Sequence, residues 1–428
     1  MKLWTLAGLA LLLGGCGAVK QLVEPKPEPV RLGVAAVPAQ RLVPGAALTV
    51  PLSITRPEGV DDVRVSVQSP DGDLLAVSLQ GAAGVSIRAA AGALPQGLVP
   101  VTVTVEGGGQ TASTRIGVEI GTRIAAEFAR FNAVRAQAGL GAVAFDEDAS
   151  MNCWLHGRYS VVNGVYGHNE DAALPMATPQ GLSCAANSNL SWSVQRASEL
   201  AGSTSATDTL FSVPFHAVGM LHSAQARVGI GSFARRSPDV GGPNGGGPND
   251  EGYVQTGSGI TSIRPDGAGA GQPVTFPGNG RETDMGQYPG GEWPNPLTPC
   301  AGFDPRRTGL PLVASSRVHG DTTATDATLT LEGGGALEVC AFGSTQYVNT
   351  TDSPGNYPGG PRSAQDIGRS ILRGYGAVFV IPRSPLVAGQ TYHVSVTVNG
   401  TPLKWSFRTA ATLRAQALAR PAERMWVR

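Results

Sequence analysis

The sequence is short of charge, and above all of lysine. Charged residues make up 15% of the 428 residues, against about 25% in an average protein. The only lysines are Lys2, Lys20, Lys26 and Lys404. Proteins that bind nucleic acids need clustered cations to neutralise phosphates, so this composition excludes a nucleic-acid partner. The formal net charge of zero gives no basis for long-range attraction of charged partners.

Several motifs with a known chemistry are also missing. The sequence has no G-x-S-x-G nucleophile elbow, no H-E-x-x-H helix and no P-loop. Glycine and proline are instead abundant, with 58 and 32 residues. Such a composition is typical of short elements separated by many turns, and with 41% hydrophobic residues the chain can still build cores.

Long apolar runs are lacking except at the N-terminus. Residues 3–13 form an apolar run of eleven, whereas a membrane span takes about twenty. The run follows Lys2 and ends at residues 13–16, LGGC. This segment resembles a bacterial lipoprotein signal, which implies that Cys16 is lipidated and anchors the chain to a membrane. The alternative is an ordinary secretory signal that happens to contain a cysteine. Either way the predicted location is outside the cytoplasm; the anchor implies the cell envelope, at the outer membrane or cell surface.

Four cysteines remain after Cys16, namely Cys153, Cys184, Cys300 and Cys340. Their spacing does not fit a zinc ribbon, which needs closely paired cysteines. An even number in an exported chain favours disulfides, for which three connectivities exist. We favour Cys153–Cys184 and Cys300–Cys340, because each pair then falls within one predicted domain.

The spacing of hydrophobic residues changes along the rest of the chain and divides it into regions. Residues 17–30 read as a proline-containing tether. Residues 31–121 alternate apolar and polar positions in short runs, which predicts an immunoglobulin-like β-sandwich. Residues 265–410 comprise a linker and a second immunoglobulin-like β domain. Residues 411–428 form a basic tail.

Between residues 122 and 264 the period becomes helical. The first helix should end at Gly139, and a second should run from about Asp146 to Val162, with Asp146 as its N-cap and Gly164 as its stop. Further helices are predicted near residues 193–201 and 206–212. Two strands, RVGIGSFARR and YVQTGSGITS, should follow.

Residues 124–262 carry motifs that occur in the same order in one known family. The segment resembles the CAP superfamily of cysteine-rich secretory, antigen 5 and pathogenesis-related proteins, also called SCP domains. The resemblance implies an α-β-α sandwich. The matching residues are Asn132, Arg135, Gly139, Leu140, His156, Tyr159, Asn163, Gly164, Gly167, His168, Pro214, His216, Leu221, Val228, Gly229, Ile230 and Gly231.

The resemblance also implies a cleft lined by two histidines and two glutamates. His168 and His216 match the histidines, but Ser188 stands where the first glutamate is expected. Glu199 is only a weak match for the second. Glu170 is a further cleft candidate, because it follows His168 closely. The pair His168 and His216 is a candidate divalent-metal site, although without carboxylates to orient the imidazoles no cofactor is expected.

Two other histidines and two acidic residues have simpler interpretations. His156, beside Trp154 in the second helix, is interpreted as a packed, hydrogen-bonded residue, and His222 as structural. Acidic residues in a loop, such as Glu170 and Asp171, are most often solvated.

The C-terminal region resembles a bacterial immunoglobulin-like repeat preceded by a linker known from bacterial CAP proteins. Trp405 and Phe407 should fill its core. The residues that carry the resemblance are Pro277, Gly280, Gly291, Glu292, Pro294, Pro296, Leu297, Pro385, Leu386, Gly389, Tyr392, Val394, Trp405, Ser406 and Phe407.

The predicted fold class is multidomain α+β, with a central α-β-α sandwich between two all-β immunoglobulin-like sandwiches. The predicted function is that of a non-enzymatic binding or interaction module in the cell envelope, whose cleft takes a small or lipid-like ligand. The alternatives are a metal-assisted hydrolase of cell-wall or protein substrates and a purely structural or adhesive surface protein. The sequence names no protein partner.

Overall fold

The structure is a computed structural model that describes residues 30–81, 83–197, 205–237, 252–266 and 271–414. The signal segment with Cys16, most of the tether, Glu199 and most of the basic tail therefore lie outside the described residues. Within the described part of the chain, no helix is long and apolar enough to cross a membrane.

The first unit is built from strands. These are β1 (Gly33–Val34), β2 (Gln40–Leu42), β3 (Ala47–Pro51), β4 (Ile54–Thr55), β5 (Arg64–Gln68), β6 (Leu75–Leu79), β7 (Gly84–Ala89), β8 (Gln96–Gly107) and β9 (Gln110–Ile120). One sheet has the order β2-β9-β8-β5, a second has the order β3-β7-β6, and β1 pairs with β4. Val101 and Val103 of β8 share a core with Val85 and Ile87 of β7. The alternating pattern therefore gives the β-sandwich that the sequence predicts.

The central unit places helices on both faces of a four-stranded sheet. Its helices are α1 (Arg123–Gln137), α2 (Glu147–Asn163), α3 (Pro179–Asn187), α4 (Ala206–Phe211) and α5 (Pro214–Met220). Its strands are β10 (Ala144–Phe145), β11 (Ser188–Arg196), β12 (Arg227–Ser237) and β13 (Tyr253–Ile263), in the order β10-β12-β13-β11. Val228 and Ile230 of β12 join the core that contains Phe131 of α1, whereas Gly229 and Gly231 lie against α2.

Glycines on the sheet let α2 approach it closely. A Cβ atom added at Gly231 would collide with the backbone of Ser150 and Trp154. Likewise, one added at Gly257 would lie 2.9 Å from the carbonyl oxygen of Gly157 on the helix. The G-x-G pattern of β12 therefore serves helix packing.

The ends of α2 are those expected from the sequence. The side chain of Asp146 accepts a hydrogen bond from the backbone nitrogen of Ala149 at 2.8 Å. Gly164 ends the helix in the left-handed conformation with φ of 63°. The helix predicted near residues 206–212 is also confirmed as α4.

The helix predicted near residues 193–201 is wrong over its described part. Ser188–Arg196 forms β11, which pairs with β13 from Ser188 opposite Thr261 to Arg196 opposite Tyr253. The edge of β13 offers nine consecutive partners to this segment. Tertiary strand pairing therefore outweighs a weak local helical preference.

The C-terminal unit contains two more sheets and one helix. Its strands are β14 (Val274–Phe276), β15 (Arg281–Thr283), β16 (Leu312–Ser315), β17 (Ala324–Leu331), β18 (Ala336–Leu337), β19 (Val339–Phe342), β20 (Ala377–Pro382), β21 (Thr391–Val398) and β22 (Thr401–Thr409). The sheet orders are β14-β16-β20-β19 and β15-β22-β21-β17-β18. The helix α6 (Ala364–Tyr375) is not predicted by the sequence analysis. Ser363 caps its start and the left-handed Gly376 ends it. Trp405 and Phe407 are buried in the core, as predicted.

The central and C-terminal units share one apolar core. Phe215 of α5 packs edge-on against Tyr347 and Phe379, with ring centroids 5.1 Å from each. On the other side, Trp154 and Phe233 of the central unit join the core of the first unit. The predicted boundary at residues 264/265 therefore falls between two groups of secondary-structure elements, but these two groups share one hydrophobic core.

Both favoured disulfides form, Cys153–Cys184 and Cys300–Cys340. Two intrachain disulfides indicate a chain that folds in an oxidising compartment, outside the cytoplasm. The coarse prediction of a multidomain α+β protein with β-sandwiches is likewise confirmed.

Candidate functional site

His168 lies in the loop after α2 and contacts the C-terminal unit. Its ring Nδ1 donates to the carbonyl oxygen of Ala185 at 2.9 Å. Its backbone nitrogen donates to the carbonyl oxygen of Asn356, also at 2.9 Å. The ring stacks on Tyr357 with centroids 4.8 Å apart and planes 16° from parallel. His168 is thus held between the central unit and the segment that precedes α6.

The surroundings of His168 keep its ring neutral. Burial lowers the pKa of His168 to about 4, against the opposing effect of the hydrogen bond to Ala185. Repulsion from His216 and His156 lowers this pKa further. At neutral pH the ring therefore carries its hydrogen on Nδ1 and presents Nε2 as an acceptor.

His216 lies in the first turn of α5, two residues after Pro214. Its Nδ1 donates to Oε1 of Glu292 at 2.8 Å, and its backbone nitrogen donates to the same oxygen at 3.1 Å. The side chain of His216 is 15% exposed, whereas that of Glu292 is fully buried. The carboxylate therefore fixes the ring orientation, and Nε2 of His216 has no hydrogen-bond partner in the part of the chain that the structure describes.

Glu292 is incompletely paired for a buried carboxylate. Its Oε2 is buried without a hydrogen-bond partner among the described residues. Burial raises the pKa of Glu292, and the hydrogen bond from His216 opposes that rise. A buried acceptor of this kind is rare in folded proteins and is often found at functional sites.

The two histidines predicted from the family resemblance both contact the C-terminal unit, where His168 stacks on Tyr357 and His216 donates to Glu292. The structure also adds aromatic groups beside them. Trp293 follows Glu292 and lies 5.9 Å from the ring of Tyr357, while its Nε1 donates to the carbonyl oxygen of Ser353 at 2.9 Å.

Glu170 does not orient His168. Its Oε1 lies 3.0 Å from Nδ1 of His156, and its Oε2 accepts from the backbone nitrogen of Thr178 at 2.8 Å. Both His156 and Glu170 have side chains only 2% exposed. The expectation that Glu170 is solvated is therefore wrong, while His156 is packed and hydrogen-bonded as expected. The loop after α2 folds back over α2, which brings Glu170 to His156 instead of to water.

Ser188 also lies apart from the histidine contacts. Its Oγ is 2.5 Å from Oγ1 of Thr261 and 3.2 Å from Sγ of Cys184. The position is set by the pairing of β11 with β13, next to the Cys153–Cys184 disulfide. Ser188 therefore contacts Thr261 and Cys184, and it does not take the place beside the two imidazoles that the resemblance implies for a glutamate.

His222 has a structural environment. Its Nδ1 accepts from the backbone nitrogen of Ala224 at 3.1 Å, and its Nε2 lies 3.2 Å from Arg264. Burial together with the charges of Arg317, Arg264 and Arg135 lowers the pKa of His222 to about 4.

Sequence reasoning missed Glu292 and Tyr357 as site residues. Glu292 was recognised only as part of the Gly291-Glu292 linker marker, and Tyr357 belongs to no motif. The sequence carried no local signal for the burial of Glu292, because glutamate is seldom fully buried unless it is paired and its partner His216 lies 76 residues away.

The candidate metal site consists of the two imidazoles alone. Within the described ranges, no cluster of three or more His, Cys, Asp or Glu side chains is placed to hold a metal ion. Two Nε2 atoms could supply two ligands, and a complete site would need others from solvent or from a bound ligand.

Comparisons with known proteins do not assign the chain to a family. No family model matches the sequence. No curated protein matches it either.

Solved structures give only faint likenesses. The eight N-terminal immunoglobulin domains of Down Syndrome Cell Adhesion Molecule match at 9% identity and a TM-score of 0.17, covering 89% of this chain and 40% of that one. Domains 4–9 of the surface layer protein SbsC match at 11% identity and a TM-score of 0.16, covering 89% of this chain and 50% of that one. A SusE-like surface polysaccharide-binding protein of Bacteroides thetaiotaomicron matches at 11% identity and a TM-score of 0.14, covering 90% of this chain and 61% of that one. The chain thus spans about half the length of these proteins, and such TM-scores assign neither fold nor function.

Proposed function

We propose that this chain is a cell-envelope lipoprotein that acts as a non-enzymatic binding module, with its ligand site at His168 and His216. The observation that carries the proposal is the fixed orientation of both imidazoles. Each ring donates through Nδ1 to a protein acceptor, Ala185 or Glu292, so each offers Nε2 outward from that contact.

The chemistry of the surrounding residues indicates the class of ligand. The neutral imidazole of His168 presents Nε2 as an acceptor, which favours a ligand that donates hydrogen bonds through hydroxyl or amide groups. The rings of Tyr357 and Trp293 favour an apolar body. A small amphipathic or lipid-like molecule combines these features.

Binding of a lipid-like probe tests this site. We expect cis-parinaric acid to bind the mature chain, with fluorescence enhancement as the readout. His216→Ala and Tyr357→Ala should each weaken binding about tenfold, since each removes a contact of roughly 1.4 kcal/mol. His319→Ala is the matched control, because His319 is an exposed histidine far along the chain from the site. Equal binding by all variants, or no binding at all, would contradict the proposal.

The central unit is proposed to be CAP-like and its flanking sandwiches immunoglobulin-like. The order of motifs in the sequence supports this, as does the layering of helices on both faces of the β10-β12-β13-β11 sheet. Glu292, which comes from the linker, takes a place beside His216 that the resemblance left unfilled.

The anchor is proposed from residues 13–16 and from the extracytoplasmic location that the disulfides indicate. Globomycin should cause a larger precursor to accumulate, and Cys16→Ser should move the mature chain from the detergent phase to the aqueous phase in a Triton X-114 partition. Unchanged processing and partition would leave the secretory-signal alternative.

A metal-assisted hydrolase remains the second candidate, because a histidine with a buried carboxylate on Nδ1 can act as a general base through Nε2. Release of soluble fragments from peptidoglycan or casein, stimulated by Zn²⁺ and abolished by His216→Ala, would establish it. If neither ligand binding nor hydrolysis occurs, the structural or adhesive alternative stands.

A further inference from the structure

A second candidate site lies on the outer face of the C-terminal unit, on three neighbouring strands. A cavity of about 500 Å³ is lined there by polar side chains of β17, β21 and β22 together with Asn279. It shares no residue with the contacts of His168 and His216. Its size falls in the range of small-molecule sites in proteins.

The strand register sets these side chains in two parallel rows. In one row, Thr330 lies opposite His393, and His393 opposite Ser406. In the other, Thr328 lies opposite Ser395, and Ser395 opposite Lys404.

The rows form one polar surface. Because side chains alternate along a strand, all six groups share the face opposite the core residues Leu329, Val396 and Phe407. Neighbouring strands are about 4.8 Å apart, so the rows cover a surface about 10 Å wide. That span accommodates one or two sugar rings.

The charge of this surface is positive and unbalanced. Lys404 is the only lysine among the described residues of a lysine-poor chain. It is exposed, and it makes no ion pair within the described ranges. No Asp or Glu lines the cavity, and the exposed His393 lies on the strand beside β22.

Four hydroxyl groups complement that charge. Thr328, Thr330, Ser395 and Ser406 can each donate and accept a hydrogen bond, and sugars satisfy both roles. A carboxylate on the sugar would meet the Lys404 ammonium in a charge-assisted hydrogen bond, which is stronger than a neutral one.

We propose that this surface, the cavity across β17, β21 and β22, binds an acidic sugar, with Lys404 on its carboxylate and the hydroxyl rows on its ring. The inference does not depend on the ligand of the histidine site, since the two sites have no residue in common.

The test is a titration of the mature full chain, labelled with ¹³C-histidine, by nuclear magnetic resonance. The probes are D-glucuronate, D-glucose and inorganic phosphate. The His393 resonance is identified as the one absent from His393→Asn. We expect D-glucuronate to shift it saturably, with D-glucose and phosphate binding about tenfold more weakly. His319 is exposed in the same unit but outside the cavity, and its resonance should not move.

Two variants isolate the contribution of Lys404. Lys404→Gln should weaken glucuronate binding about tenfold and leave glucose binding unchanged, whereas Lys404→Arg should retain most of the affinity. Arg408→Gln is the matched control, since Arg408 is an exposed cation on β22, four residues along and outside the cavity. Both residues are exposed, and thermal unfolding checks that each of the three variants folds.

Four results would overturn the proposal. They are no saturable shift at His393, equal affinity for glucuronate and glucose, phosphate binding as tight as glucuronate binding, or an equal effect of Arg408→Gln. The third would identify a site for bare anions, and the second a site for neutral sugars.

Discussion

Two histidines of the central unit pair with glutamates, and the two pairs differ in completeness. In the pair His156–Glu170 every hydrogen-bonding atom of both side chains has a partner, because Ser160 lies 3.4 Å from Nε2 of His156 and Thr178 binds Oε2 of Glu170. In the pair His216–Glu292, Nε2 of the histidine and Oε2 of the glutamate have no partner among the described residues.

This difference separates a structural pair from a candidate functional one. A closed pair stabilises the fold because each desolvated polar atom regains a hydrogen bond. An open pair forgoes part of that stabilisation and keeps an atom available for a ligand or a proton. Burial alone does not distinguish the two, since both glutamates are buried.

Breaking the closed pair should have the largest effect. Glu170→Ala removes the acceptor of His156 and of the Thr178 nitrogen at the start of α3, leaving buried donors unpaired. We expect the free energy of unfolding to fall by about 3–5 kcal/mol, measured by urea denaturation. Asp171→Ala is the control, because the neighbouring Asp171 is exposed and its loss should change stability by less than about 1 kcal/mol. Similar losses from both variants would contradict the closed-pair interpretation.

Lowering the pH should reduce the free energy of unfolding through protonation of His168. The expected reduction is somewhat smaller than the loss expected for Glu170→Ala. The pKa of His168 is about 4 in the folded chain and 6.5 in the reference state, so the unfolded chain binds more protons between these values. The contribution of His168 to stability is therefore fully present above pH 6.5 and is lost as pH falls towards 4. Its full size is on the order of 3 kcal/mol.

This pH dependence has a matched control. His222, whose pKa is also about 4, acts in the same direction, whereas the raised pKa of Glu292 opposes both. His168→Asn should flatten the dependence of the unfolding free energy between pH 6.5 and 4, while His319→Asn should leave it unchanged. An unaltered slope in His168→Asn would show that His168 is not the titrating group.

Removing the stacked ring should bring His168 back towards its ordinary pKa. Tyr357→Ala exposes the imidazole to water, so we expect its pKa to rise by about 1 unit, because burial is the largest cause of its depression. Nuclear magnetic resonance titration of labelled histidines measures this rise. His222, which lies beside Tyr375, should keep its lowered pKa, and a change confined to His222 would contradict the assignment.

The open pair should tolerate a neutral replacement with the smallest effect. Glu292→Gln keeps an oxygen that accepts from Nδ1 of His216 and removes a carboxyl group whose pKa is raised by burial. We expect the unfolding free energy to change by about 1 kcal/mol or less, measured as for Glu170→Ala. A loss equal to that of Glu170→Ala would show that both pairs are structural.

Local signals in the sequence were enough to predict several elements. Asp146 and Gly164 fix the ends of α2 because capping chemistry acts within one helical turn. The period-two pattern of residues 31–121 predicted the first sandwich for a similar reason, since alternation alone decides which side chains face inward. The disulfide pairing also followed, because each pair joins parts of one predicted domain.

Other features needed partners that are distant along the chain. Residues 188–196 became β11 because β13 offered an unpaired edge, which no local propensity shows. Glu170 does not take the role beside His168 that its adjacency in sequence suggested, and Glu292, for which the sequence suggested no histidine partner, pairs with His216. Glu170 is two residues from His168 but binds His156, while Glu292 is 76 residues from His216 and binds it directly.

By itself the sequence predicted a location outside the cytoplasm, the succession of β and α+β regions, and the pairing of the cysteines in two disulfides. These depend on composition, periodicity and short motifs, which act over a few residues. Only the tertiary structure decided which carboxylate each histidine meets and which ring nitrogen remains free. The reason is that burial and hydrogen-bond partners come from the packing of the central and C-terminal units into one core.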